Sequence, residues 1–383
     1  MARKLQAACL GALLCSAGAF AQTTTSPVAY VYVSNTINTN TGTAQVQAFA
    51  AAPNGRLTAV PGSPFPDNVT SMAVNGLYLF GSQPGSANIL TYSIESDGSL
   101  RHSYTSSVQR PGQCDNAGPI ELDHTGQSLY NVDIIGNNCA NATYQSFAIQ
   151  KPTGALTFLN EAGASPELNT LLSFVGNNKF AYSSSCYHFN PSIYGFQRNG
   201  NGSLTQLNLN PPFPAAPPNE GWCPFLAAAD PTNNLAIPMQ PNQGFGAPAG
   251  PYQLATYTAN ASGNLTTRST YQNMPAVAVG AVTDIRMAPS GKLVAVAGSG
   301  GLQVFHFNGA NPITPYTGLL TTDEIDQMFW DNHNHLYALS RTAGKLRVFT
   351  VTQSEHLQAP GSPYAIPNAD NVIVQPWPLP WAK

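Results

Sequence analysis

Seven stretches of the chain share one order of apolar and polar positions: a short apolar run ends in an aromatic residue, polar residues follow, and an aliphatic residue comes about one turn later. They are VQAFAAAPNGRL (46–57), ILTYSIESDGSL (89–100), YQSFAIQKPTGAL (144–156), IYGFQRNGNGSL (193–204), LATYTANASGNL (254–265), LQVFHFNGANPI (302–313) and LRVFTVTQSEHL (346–357). The aromatics are Phe49, Tyr92, Phe147, Phe196, Tyr257, Phe305 and Phe349. The aliphatic residue follows eight positions later in six copies and nine later in the third. Five copies place glycine two positions before it, where a hairpin turn often needs positive φ. Each copy therefore reads as strand, glycine turn, strand.

The aromatics recur at intervals of 43, 55, 49, 61, 48 and 44 residues, the spacing of a four-stranded blade with loops of variable length. Each unit also holds an earlier hairpin, whose second strand reads AYVYVSN, GLYLFGS, SLYNVDI, KFAYSSS, LAIPM, LVAVAGS or LYALSR. The pattern predicts an all-β, seven-bladed β-propeller of four-stranded antiparallel blades. Too little chain precedes Val28 to supply the innermost strand of blade one, while NVIVQ (371–375) is left over after the seventh repeat. That segment is expected to pair beside residues 28–34, closing the ring and removing an exposed sheet edge. A GSPF after Leu57 and a GSPY after Leu357 mark the same frame.

The N-terminus reads MARKLQAACLGALLCSAGAFAQ, with Arg3 and Lys4 before an apolar stretch and a small-residue cleavage site at Ala19-Phe20-Ala21. Leu14 is too bulky before Cys15 for a lipoprotein signal, so residues 1–21 read as a signal peptide and 22–383 as a single propeller domain. Export follows, to the periplasm or beyond the cell. No later stretch reaches the roughly 20 apolar residues of a membrane span. Without Arg3 and Lys4, thirteen basic residues face eighteen acidic ones, which argues against nucleic acid as a partner. Only 9% of residues are charged, with 33 glycines and 32 prolines, a composition of short strands and tight turns. We expect a monomer.

The cysteines of the exported chain are Cys114, Cys139, Cys186 and Cys223, an even number whose spacing matches no zinc motif. Of three connectivities, Cys114 with Cys139 and Cys186 with Cys223 is favoured. Each pair joins a blade-linking loop to a loop between second and third strands, and those loops open on one face. Each bridge would contribute about 2 to 4 kcal/mol.

The YVYVSN-type strands and the aromatic, glycine and leucine hairpins resemble the bacterial lactonase family of seven-bladed propellers, which includes 6-phosphogluconolactonase and carries YVTN-type repeats. The resemblance spans residues 28–376. It implies lactone chemistry at the mouth of a central channel, with no metal or organic cofactor. Members often carry a histidine on an innermost strand ahead of a turn, but here that segment is Gly118-Pro-Ile-Glu-Leu-Asp123, so no role transfers to it.

Lactone hydrolysis needs a base for water and donors for an oxyanion. The candidates on innermost strands are Glu121, Asp284, Arg286 and Asp326; aligning hairpins on their turns sets Glu121 level with Arg286 and Asp284 level with Asp326. The same charges can instead pair across blades or cap strand ends. His333 and His335, near Asp331, read as polar turn residues with no third ligand fixed by spacing. Trp222 and Phe245 lie in Pro- and Gly-rich segments (208–221 and 240–252, with Trp222 just beyond the first) and can either stack on a ligand or anchor their loops. The sequence holds no G-x-S-x-G, H-E-x-x-H or P-loop pattern.

Two functions stay open. One is a cofactor-independent carboxylic-ester hydrolase acting on a small, non-phosphorylated lactone, since no arginine or lysine cluster lies near an inner strand. The other is a non-enzymatic propeller whose loop face recognises a glycan or protein.

Overall fold

The computed structural model describes residues 26–35, 44–108, 114, 117–135, 139–166, 168, 170–187, 190–243 and 248–377. The expected signal peptide and Phe245 lie outside them. Over these residues the chain forms seven antiparallel sheets and no helix. Each sheet is one blade, as the seven repeats require. Six of the repeat aromatics are buried to 2% exposure or less, and Phe49 packs half-buried against the same core.

The ring closes as expected. Ala369–Pro376 pairs antiparallel with Ala29–Asn35, with Tyr30 opposite Gln375 and Val33 opposite Val372. Blade one is thus built from both ends of the chain, its outer strands being Gln45–Ala51 and Leu57–Ala59.

The repeat glycines explain how blades adhere. Gly55, Gly98, Gly154, Gly202 and Gly263 all have φ between +74° and +94°. The neighbouring blade also presses on this turn: a Cβ on Gly98 would stand 2.2 Å from the Tyr30 ring. Tyr32, Tyr130 and Tyr182 then donate to the Gly98, Gly202 and Gly263 carbonyls at 3.0, 2.8 and 2.8 Å. Burial pushes all three phenols well above their ordinary value, so they remain donors. One glycine thus serves turn geometry, ring packing and a carbonyl contact.

His335 belongs to this structural layer. It lies on the strand His335–Ser340, 1% exposed, with Nδ1 2.7 Å from Asp331 Oδ2, and its ring packs where a Cβ on Gly55 of the next blade would be. Asp331 also accepts from the Tyr337 hydroxyl and from the His333 and His335 amides. His333 stays exposed in the turn. The two histidines therefore do not point together, because the strand begins only at His335.

Both disulfides form in the favoured pairing, Cys114 with Cys139 and Cys186 with Cys223, with Cα separations of 6.0 and 5.2 Å. They fasten the face on which blade links and second-to-third-strand loops meet. No helix among the described residues is long and apolar enough to cross a membrane.

Candidate functional site in the central channel

The innermost strands are Ala369–Pro376 in blade one, Ser71–Val74 in two, Ile120–Leu122 in three and Ser173–Phe174 in four. Blade five contributes Gly221–Pro224 and Ala228–Ala229, blade six Val282–Met287 and blade seven Gln327–Trp330. They surround the channel, and alternate side chains on each strand point into it because the strand period is two.

Polar side chains of one inner strand cap backbone N–H groups of the next. The Ile120 N–H donates to Ser71 Oγ at 3.1 Å, and the Leu172 N–H donates to Glu121 Oε1. The Ala229 N–H reaches Ser173 Oγ at 2.8 Å, Met328 reaches Asp284 Oδ2 at 2.9 Å, and Val372 reaches Gln327 Oε1 at 2.7 Å. These contacts stitch successive blades around the ring.

Glu121, Asp284 and Arg286 come together as the sequence suggested. They line one cavity of about 230 Å³. An adjoining cavity of about 290 Å³ has Glu121 and Arg286 in its wall as well, with Ser71, Gln327 and Phe329 opposite. Arg286 is held from two sides: Nε lies 3.1 Å from Asp284 Oδ1, and the guanidinium carbon sits 4.3 Å from the centre of the Phe329 ring. A guanidinium over an aromatic face keeps its plane and its charge.

Burial pushes the Glu121 carboxyl well above the usual value; the Leu172 amide and the positive charge of Arg286 oppose that shift without cancelling it. Burial also raises Asp284, against Arg286 and two backbone amides. The cavity thus contains a carboxyl that holds its proton more tightly than usual and a fixed cation.

Asp326 does not join them. Gln327, not Asp326, is level with Asp284, because three residues separate Asp331 from His335 in the blade-seven turn whereas four separate Ala288 from Leu293 in blade six. One residue of slip reverses parity. Asp326 instead accepts the Arg341 N–H at 2.8 Å on the rim.

Trp222 is also placed differently. It is 3% exposed, its indole N–H donates to the Pro214 carbonyl at 3.0 Å, and it packs in the core beside Met239 and Tyr257. It anchors the Pro-rich segment and offers no face to a ligand.

His124 was missed. It follows Asp123 in the turn and lines the same cavity as Glu121 and Arg286, with its ring edge-on to Phe174 at 6.3 Å. Burial of the ring holds the imidazole below its usual value, although part of the residue reaches solvent at the channel mouth. Its sequence signal is the Asp-His-Thr-Gly turn, one position beyond the Gly118–Asp123 segment.

No family model and no curated protein sequence matches the chain. Solved structures do. A putative 6-phosphogluconolactonase from Bacteroides fragilis superposes with a TM-score of 0.63 at 13% identity, over 90% of this chain and 97% of that one. One from Bacteroides uniformis gives 0.61 at 14% identity, over 90% and 99%. A hypothetical selenium-binding protein from Sulfolobus tokodaii gives 0.60 at 10% identity, over 92% and 94%. At such identities the likeness is one of fold, shared by proteins whose descriptions differ. The chain is a seven-bladed propeller similar in architecture to the 6-phosphogluconolactonase-like structures.

Proposed function

We propose that this protein is an exported, lactonase-like hydrolase that opens a small, non-phosphorylated lactone in its central channel. The observation that carries the reading is the shared cavity in which Glu121, with its raised proton affinity, faces the fixed guanidinium of Arg286. Deprotonated Glu121 takes a proton from water as the oxygen attacks the lactone carbonyl. Arg286 stabilises the oxyanion. Collapse breaks the ring C–O bond, and the alkoxide recovers the proton from Glu121. A carboxylate, a guanidinium and water balance this reaction with no cofactor.

Arg286 is the one arginine or lysine among the described residues lining either cavity. A phosphate would bring two charges against that single cation and the nearby Asp284, so a neutral lactone fits better. The two disulfides and the signal-peptide pattern support export to the periplasm or the extracellular space.

A non-enzymatic recognition propeller is the second reading. It is favoured by the capping of Leu172 by Glu121 and of Met328 by Asp284, which gives both carboxyls a structural task. Initial rates on a panel of neutral and phosphorylated lactones separate the two. Turnover of neutral lactones in preference to phosphorylated ones is expected; no turnover of any lactone by folded protein would leave the recognition reading.

A further inference from the structure

The inner strand of blade five is interrupted. Pro224 pairs with Met239 and Ala228 with Ala236, so three residues, Phe225, Leu226 and Ala227, stand opposite two. This is a β-bulge. Its middle residue, Leu226, has φ +62°, a left-handed conformation that a bulky side chain seldom takes unless its surroundings impose it.

The bulge has defined anchors. The Phe225 N–H donates to the Pro238 carbonyl at 3.0 Å, and the Leu226 carbonyl accepts the Ser184 hydroxyl at 2.6 Å. Ala228 and Ala229 resume the ladder, and the Ala229 N–H reaches Ser173. The amides of Leu226 and Ala227 have no hydrogen-bond acceptor among the described residues. Both residues are half-buried and line the cavity of Glu121 and Arg286. Cross-blade capping passes these two amides by: Ser173 of blade four takes the Ala229 N–H, as Ser71, Glu121, Asp284 and Gln327 each take one N–H on or beside the inner strand of the blade that follows theirs.

Successive unpaired amides around a left-handed residue form a concave anion-binding nest. Resting on the lactonase reading, we infer that the Leu226 and Ala227 amides are the oxyanion hole, receiving the lactone carbonyl oxygen as it becomes an alkoxide while Arg286 supplies the charge opposite. The carbonyl π pair moves onto that oxygen when the hydroxide bond forms. It returns when the ring C–O bond breaks and the leaving oxygen takes the proton held by Glu121. The leucine is used for its backbone alone.

The test compares wild type, Leu226→Gly, Leu226→Ile and deletion of Leu226, which restores one-to-one pairing. Two probes are used: δ-valerolactone, and the six-membered cyclic phosphonate that copies its tetrahedral adduct. Leu226→Gly keeps the left-handed backbone accessible and should retain at least about tenfold more kcat than Leu226→Ile. Leu226→Ile disfavours that backbone, and the deletion removes it. Both should lower kcat by about 10²- to 10³-fold, as loss of an oxyanion donor does, and weaken the phosphonate by a similar factor with KM nearly unchanged. Folded Leu226→Ile and deletion variants that turn over δ-valerolactone and bind the phosphonate like wild type would overturn the inference while leaving the lactonase reading intact. Wild type that binds the phosphonate through the bulge but hydrolyses no lactone would support the nest and remove the lactonase reading.

Discussion

Three acidic side chains differ in what their surroundings do to the proton. Glu121 faces the cavity and Asp284 is tied to Arg286, while Asp133 lies 2% exposed in blade three beside Gln145, which donates from Nε2 at 3.2 Å. Burial, with a contribution from Glu161, pushes Asp133 up to about 7. A carboxyl raised on folding stabilises the fold while protonated. That stability is present below the unfolded value and is lost as pH climbs through the folded one. Asp133→Asn should therefore gain on wild type by on the order of 2 to 4 kcal/mol between pH 4 and pH 8, read from urea midpoints. An equal difference at both pH values would refute it. For Glu121 the consequence is kinetic. The base works deprotonated, so the rising limb of kcat/KM should lie above the ordinary carboxylate value of 4.5, and Arg286→Met should move it higher still by removing the charge that favours the anion. A limb that stays put in Arg286→Met would show that the titrating group is not Glu121. At this scale the sequence named Glu121, Asp284 and Arg286 because all three sit on inner strands at one parity. It could not separate Trp222 as anchor from Trp222 as ligand platform, since that depends on the pairing of Gly221–Pro224 with the end of Asn234–Asn242.

Among elements, the outer hairpin was the most legible. Its glycine is required locally by positive φ and again by the preceding blade, so the same residue recurs wherever both demands apply. Gly98 and Gly85 separate these demands: both have positive φ, but a Cβ on Gly85 meets nothing within 4 Å whereas one on Gly98 meets the Tyr30 ring. Gly85→Ala should cost about 1 kcal/mol, the left-handed penalty alone, and Gly98→Ala a further 2 kcal/mol or more from overpacking. Equal losses in chemical denaturation would mean that Tyr30 yields freely. Inner hairpins were less legible, because their turns differ in length by one residue. That difference placed Asp326 in the channel when Gln327 occupies the level. The blade-five bulge left no trace in the sequence, since Phe-Leu-Ala carries no turn residue and the left-handed leucine is set by its tertiary contacts.

The whole molecule repeats one scaffold seven times, and the groups suited to chemistry stand where that repetition is broken. Serine and glutamine suffice to cap amides at several blade junctions; glutamate and the Asp284–Arg286 pair occupy others, and a bulge interrupts blade five. Fold and ring closure could be read from periodicity because every blade restates it, whereas the site comprises single residues from blades three, five and six that no period marks. The decisive comparison is the hydrolysis of neutral lactones by wild type and by Glu121→Gln, in which the amide oxygen can still accept the Leu172 N–H, so that the fold is kept. We expect wild type to turn over a neutral lactone and Glu121→Gln to lose at least about 10²-fold in kcat while melting no lower than wild type, since burial already disfavours the ionised carboxyl it replaces. Equal rates in the two folded proteins would place the chemistry outside this channel.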